Sequence, residues 1–189
     1  MPLSATSRSV LLDAARASLL SRLNPAVAAV PPPPEEMPEL FQPAGCFVSL
    51  HERFTHRLRG CVGKLDPEQS LWQTVCATAA DVLRDPRFIM LPVTFNEVAN
   101  LEIEISVLSP PTQAKHALDF ELLDDGIYLT HGSRAGFFLP QVARETRWTK
   151  EQLLDRLCTE KLGLPSDTWQ KPEARLFTFK VEVIGPEPV

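Results

Sequence analysis

Among the 189 residues, the segment Leu58 to Gly63, LRGCVG, has the composition a reactive thiol would need. Cysteine reacts as the thiolate, which nearby cations favour, and Arg57, Arg59 and Lys64 bracket Cys61. Gly60 and Gly63 would let a second group come close to the backbone. The competing reading makes Cys61 a small apolar residue on the inner face of a strand, with the arginines on the opposite face. A nucleophilic thiol also calls for a base. The histidines are His51, His56, His116 and His131, and only His131, at a strand end beside Gly132 and Arg134, has a suggestive setting. The compact corner Asp85-Pro86-Arg87-Phe88 has two readings. Arg87 could offer a fork to a carboxylate or phosphate, or Asp85 could accept hydrogen bonds within the turn while Phe88 plugs the core. Gln141, after Leu139-Pro140, could orient a ligand or tie down a loop.

Elements to position these residues follow from the hydrophobic pattern. Leu11, Ala15, Leu19 and Leu23 recur every four residues and predict an amphipathic helix stopped at Asn24-Pro25. Of 18 prolines, 8 fall in the first 43 residues, so residues 24–43 read as an extended strap joining that helix to the body. Period-two patterning then predicts a hairpin from Phe47–Leu50 and Arg57–Val62, connected by His51–His56. Ser70 with Gln73 predicts a capped helix ended by Pro86, and Thr94 with Glu97 a short one. Leu101, Ile103, Ile105 and Val107 predict a strand. Ile127–His131 and Phe137–Leu139 predict a hairpin around a five-residue loop, Gly132–Gly136. Thr149 with Gln152 caps a helix through Leu162 with Gly163 as its stop, and Phe177, Phe179, Val181 and Val183 share one face of a last strand. Hairpins with helices between them predict an α+β fold with a mostly antiparallel sheet.

Composition bounds the function. A chain of this length predicts one domain spanning 1–189. The formal charge of −5 supplies no general basic field, which argues against nucleic acid as a partner. No apolar run reaches the roughly 18 residues of a membrane span, and Asp13, Arg16 and Arg22 interrupt any export signal. The four cysteines, Cys46, Cys61, Cys76 and Cys158, form no Cys-x-x-Cys pair, which fits a cytoplasmic setting and gives no zinc spacing. Phosphate-loop, dinucleotide, His-Glu-x-x-His and Gly-x-Ser-x-Gly patterns are absent, so nothing demands a metal and the cofactor is left unknown.

LRGCVG, with DPRF at 85–88, LEIEISVLSP at 101–110 and GFFLPQVA at 136–143, resembles the AMMECR domain family, whose bacterial branch is called AmmeMemoRadiSam system protein A. The one visible departure is Val62 where the family hallmark carries isoleucine, a loss of one methylene. The resemblance implies an antiparallel sheet flanked by helices, with a smaller subdomain packed against a larger one and the hallmark near the cleft between them. It carries the family's marked positions onto Arg59, Gly60, Cys61 and Gly63, onto Asp85, Arg87 and Phe88, and onto Pro140 and Gln141. It also implies a Memo-type protein and a radical SAM protein as partners. Two functions stay open. One is a small enzyme or enzyme subunit using Cys61 and Arg59, with Gly60, Gly63, Asp85, Arg87, Gln141 and His131 as binding residues. The other is a non-catalytic binding or adaptor module.

Overall fold

In the computed structural model, which describes residues 3–28, 30–33, 35–65 and 68–189, the chain forms two compact units. The first runs to Leu108 and takes back Glu182–Val189; the second is Ser109–Val181.

The first unit opens with helix α1, Ala5–Leu23, whose N-cap Ser4 accepts from the Ser7 amide and which ends at Asn24 as the pattern predicts. The strap over residues 24–43 is less uniform than expected. A short 3-10 turn at Pro38–Phe41 buries Leu40 completely, because the side chain joins the core and the Ser7 hydroxyl donates to Glu39 on the same turn. Ala29 and Pro34, within the same stretch, lie outside the described residues.

Strands β1, Cys46–Glu52, and β2, Leu58–Lys64, make the predicted antiparallel hairpin. Helix α2, Leu71–Asp81, begins with the full capping box between Ser70 and Gln73. It ends before Pro86, in a 3-10 turn at Val82–Arg84; Pro86 instead starts the next turn, Pro86–Phe88. Thr94 and Glu97 cap a 3-10 segment, Phe95–Asn100, which leads into strand β3, Leu101–Leu108.

Within this unit the strand order is β2-β1-β3 followed by the C-terminal part of the last strand, so β2 has a free edge. Alternation decides which face is covered. Cys46, Val48 and Leu50 of β1 and Ile103 and Ile105 of β3 are fully buried, with Leu11, Ala15 and Leu19 of α1 and Val75 and Ala79 of α2 in the same core. A helical layer therefore covers one face of these strands.

The second unit contains a short strand β4, Thr112–Gln113, then β5, Asp125–His131, and β6, Arg134–Phe138. The β5–β6 connection is tighter than expected. His131 pairs with Arg134, leaving two loop residues rather than five, because Gly132 at φ +59° supplies the left-handed turn and Arg134–Gly136 join the strand. Helices α3, Pro140–Thr146, and α4, Lys150–Arg156, follow. The capping box of Thr149 and Gln152 is present, and α4 continues as a π-helical turn, Leu157–Leu162, stopped by Gly163 at φ +65°. Ile127, Leu129, Leu154, Leu157 and Cys158 form this unit's own buried core.

The last strand, β7, Arg175–Pro188, pairs with β4 and β5 through its N-terminal part. Its inward positions do not keep one phase: Phe179 is buried, but further on Ile184 is buried and Val183 exposed. Leu176, in the core of the second unit, already has the parity of Ile184 and not that of Phe179, so the phase breaks within the second unit. Every described pairing is antiparallel, and the fold is α+β.

Candidate functional site

LRGCVG is strand β2 almost in full, and its alternation assigns a direction to each residue from Gly60 to Lys64. Gly60 pairs with Leu50 and Val62 with Val48, so both lie on the face under the helices. Cys61 pairs with Ser49, whose other neighbour is Glu104, so thiol, hydroxyl and carboxylate stand in one row on the opposite face. This corrects the inner-face reading of Cys61. Arg59 falls at an irregularity in the β1–β2 register, where Gly60 pairs with Leu50 and Leu58 with His51, so alternation does not assign it a face and its contacts with Glu97 and Leu91 set its direction.

The glycines have steric reasons. A Cβ on Gly60 would stand 2.8 Å from the Val82 carbonyl oxygen, where the chain leaves α2 and crosses the strand. A Cβ on Gly63 would meet the Phe47 ring at 2.3 Å. Both allow close packing of this chain's own groups.

At the free edge of β2 the backbone of Cys61 is held by the DPRF corner. Its N–H donates to Asp85 Oδ2 at 2.8 Å, and its carbonyl oxygen accepts from Arg87 Nη2 at 3.1 Å. Asp85 is 2 % exposed, while the Arg87 side chain is 58 % exposed. The carboxylate also accepts from the Arg87 amide at 3.0 Å and from Nη2 at 2.6 Å. The Arg87 guanidinium beside it, reinforced by the Cys61 and Arg87 amides against the opposing effect of burial, brings the Asp85 carboxyl down to about 2. The Asp85 bond raises Arg87 in turn, and a Cys61 thiolate within its reach adds to the same effect. The corner thus supplies the hydrogen-bond partners a neighbouring strand would otherwise have offered.

Arg59, which the β1–β2 register skips, performs a related task two residues before Cys61. It is 7 % exposed and donates from Nη2 to Glu97 Oε1 at 2.9 Å and to the Leu91 carbonyl at 3.2 Å. Burial pushes the Glu97 carboxyl up, but the Thr94 amide and Arg59 outweigh it and hold the group below its ordinary value. Phe88 is half-buried rather than a core plug; its ring centroid lies 5.8 Å from the Arg59 guanidinium and 5.7 Å from that of Arg87. Segment 85–97 therefore runs along the edge of β2, pinned at Cys61 and at Arg59, and the chain then crosses to the other side of the hairpin, where the Arg53 amide donates to the Asn100 carbonyl at 2.8 Å and extends the β1–β3 pairing.

Arg59, Gly60, Cys61, Gly63, Asp85 and Arg87 are thus brought together in the first unit. Gln141 and His131 belong to the second. Gln141 sits at the start of α3 with its buried Oε1 lacking a hydrogen-bond partner among the described residues, and His131 pairs with Arg134 in the tight hairpin. Burial pushes Cys46 up to about 12 and raises Cys76 and Cys158, so these three stay protonated at neutral pH. Among the described residues no group of His, Cys, Asp and Glu has the arrangement of a metal site, and no helix is long and apolar enough to cross a membrane.

Two features escaped sequence reading. Glu97 appeared only as a cap, although it also neutralises Arg59. Ile89, Met90 and Leu91 are 69 %, 87 % and 72 % exposed. The signal for them was an apolar triplet between Pro86 and Pro92, too short for a helix and with no alternation to seat it in a strand.

The profile of the AMMECR1 family matches residues 12–184. The chain belongs to the AMMECR1 family. Its similar proteins are archaeal: it is 34% identical over 157 residues to protein MJ0810 from Methanocaldococcus jannaschii, covering 79% of this chain and 77% of that protein. With protein PH0010 from Pyrococcus horikoshii it shares 33% identity over 167 residues, 84% of this chain and 80% of that one. The crystal structure of PH0010 superposes with a TM-score of 0.78 and 29% identity, covering 96% of both chains. In this AMMECR1-family chain, then, the segments LRGCVG and DPRF are the two halves of one hydrogen-bonded assembly.

Proposed function

We propose that this AMMECR1-family chain is a non-catalytic binding or adaptor module whose recognition surface is segment 87–95 beside β2. One observation carries the reading: three consecutive large apolar side chains, Ile89, Met90 and Leu91, face solvent on a segment pinned at both ends. Exposed apolar side chains on a fixed backbone are typical of a surface that is covered by a partner. The charged signature residues support it, since Asp85, Arg87 and Arg59 are engaged in holding that segment to the strand.

The family resemblance nominates a Memo-type protein and a radical SAM protein as partners, and four free thiols suit a cytoplasmic setting. The test is calorimetric titration of the purified chain with each nominated partner. Wild type and Cys61→Ser should bind alike at micromolar concentrations, and Met90→Asp about tenfold more weakly. No association with either partner, or unchanged binding by Met90→Asp, refutes the reading.

A second reading keeps thiol chemistry at Cys61 in an enzyme or enzyme subunit. What favours it is the half-buried thiol on the open face with the exposed Arg87 guanidinium within reach, suited to an anionic substrate. Stoichiometric alkylation of Cys61 at neutral pH, blocked by a small anionic metabolite, would support this reading. A thiol inert until the chain unfolds removes it.

A further inference from the structure

We infer that the surface along the free edge of β2 takes a partner segment that is both acidic and apolar. This rests on the binding-module reading above and specifies the chemistry of what binds.

The apolar half of the argument is positional. Among the described residues the exposed large hydrophobics are eight, and Phe54, Ile89, Met90, Leu91 and Phe95 make five of them. Phe54 lies on the β1–β2 turn and the other four on segment 85–97, which the Cys61 and Arg59 contacts fasten along the edge of β2. Scattered single hydrophobics are ordinary on a protein surface, whereas three in succession with Phe95 on the same fastened segment, and Phe54 on the turn of the strand that holds it, are a concentration of apolar area.

The charge half comes from pairing. Residues 52–65 and 84–97 carry six basic side chains against three acidic ones, on a chain whose formal charge is −5. Each acid is already engaged: Glu52 with Arg57, Asp85 with Arg87, Glu97 with Arg59. Arg53, Lys64 and Arg84 have no acidic partner among the described residues, and Arg53 lies over the exposed Phe54 ring at 6.0 Å. The same elements therefore carry exposed apolar area together with three cations that have no acidic partner among the described residues, which a segment with aliphatic or aromatic anchors and neighbouring carboxylates complements.

A bilayer of anionic lipid shares part of that chemistry but fits less well. The net negative chain is repelled by such a surface, and the partly exposed Glu52 and Glu97 would be pressed into it beside the apolar side chains.

The test is fluorescence anisotropy of the intact chain with a labelled amphipathic helical peptide of Glu and Leu, with its Lys-for-Glu counterpart, and sedimentation with phosphatidylcholine–phosphatidylserine vesicles. Circular dichroism confirms folding of the variants, all at exposed positions. The acidic peptide should bind about tenfold tighter than the lysine peptide and weaken with added salt. Met90→Asp and the pair Lys64→Glu with Arg84→Glu should each weaken it by about tenfold. Equal, Met90-dependent affinity for both peptides overturns the charge assignment and leaves the binding-module reading standing. Binding that ignores Met90→Asp, or none with either peptide, overturns the inference, while the binding-module reading is decided by the partner titration above. Met90-dependent retention on vesicles, without peptide binding, reassigns the surface to lipid and overturns the inference.

Discussion

Asp85→Ala should destabilise the protein more than any surface substitution, because the carboxylate is buried and four donors converge on it. Removing it orphans the Cys61 amide, which has no neighbouring strand on that side, and the Arg87 amide within its own turn. An unsatisfied buried N–H costs about 1–3 kcal/mol, so the pair sums to roughly 2–6 kcal/mol at pH 7. The Arg87 guanidinium adds little to this loss, since at 58 % exposure it regains water. Asp85→Asn isolates the charge. It keeps a carbonyl oxygen for the Cys61 amide and gives up the ion pair.

The carboxyl lies at about 2 against an ordinary 3.8, and at about 1.4 kcal/mol per pKa unit the ionised form contributes about 2 kcal/mol. A depressed carboxyl gives stability that is complete above the unfolded pKa and lost as pH falls through the folded one. The gap between wild type and Asp85→Asn in urea unfolding should therefore be about 2 kcal/mol above roughly pH 5 and close as pH approaches about 2. Other depressed acids, Glu39, Glu52, Glu97 and Glu151, titrate in both proteins and drop out of the difference. A gap that does not change with pH, or an Asp85→Ala protein within about 0.5 kcal/mol of wild type at neutral pH, would refute the assigned role of the corner.

Three further outcomes are expected. Gly60→Ala puts a Cβ 2.8 Å from the Val82 carbonyl, and the resulting backbone shift should cost about 1–3 kcal/mol in denaturant unfolding; a neutral result would mean the crossing is looser than described. Gly132→Ala meets no atom within 4 Å but keeps φ +59°, so it should cost about 1 kcal/mol from backbone strain alone, and Gly132→Asn less; equal costs would contradict that cause. Ser70→Ala removes the N-cap acceptor of α2, with an expected loss of about 1 kcal/mol and faster amide exchange at Gln73; unchanged exchange there would count against the cap.

Local chemistry was legible wherever it acts over a few residues. The capping boxes at Ser70, Thr94 and Thr149, the α1 stop at Asn24 and the alternation of β3 all depend on neighbours within one or two turns, so residue type and spacing suffice to place them. The same holds for the LRGCVG strand and for its resemblance to the AMMECR family. From Gly60 onward its side-chain directions follow from period two, although neither the register irregularity at Arg59 nor the covered face could be known before the strands paired and α1 and α2 were docked on them.

Tertiary structure decided what those residues do. Asp85 stands 24 positions after Cys61 and Glu97 stands 38 after Arg59, and no local pattern links such pairs. Only the crossing of the chain at Val82, which requires Gly60 to lack a side chain, brings the DPRF corner to the edge of β2. There Arg57 and Arg59, two of the cations that looked poised to activate a thiol, are paired with Glu52 and Glu97, and Ile89, Met90 and Leu91 are left in water because the backbone on either side of them is fastened down. Sequence supplies donors, acceptors and apolar side chains; which of them meet depends on loop closures whose entropy cost says nothing about identity, and that is settled by packing.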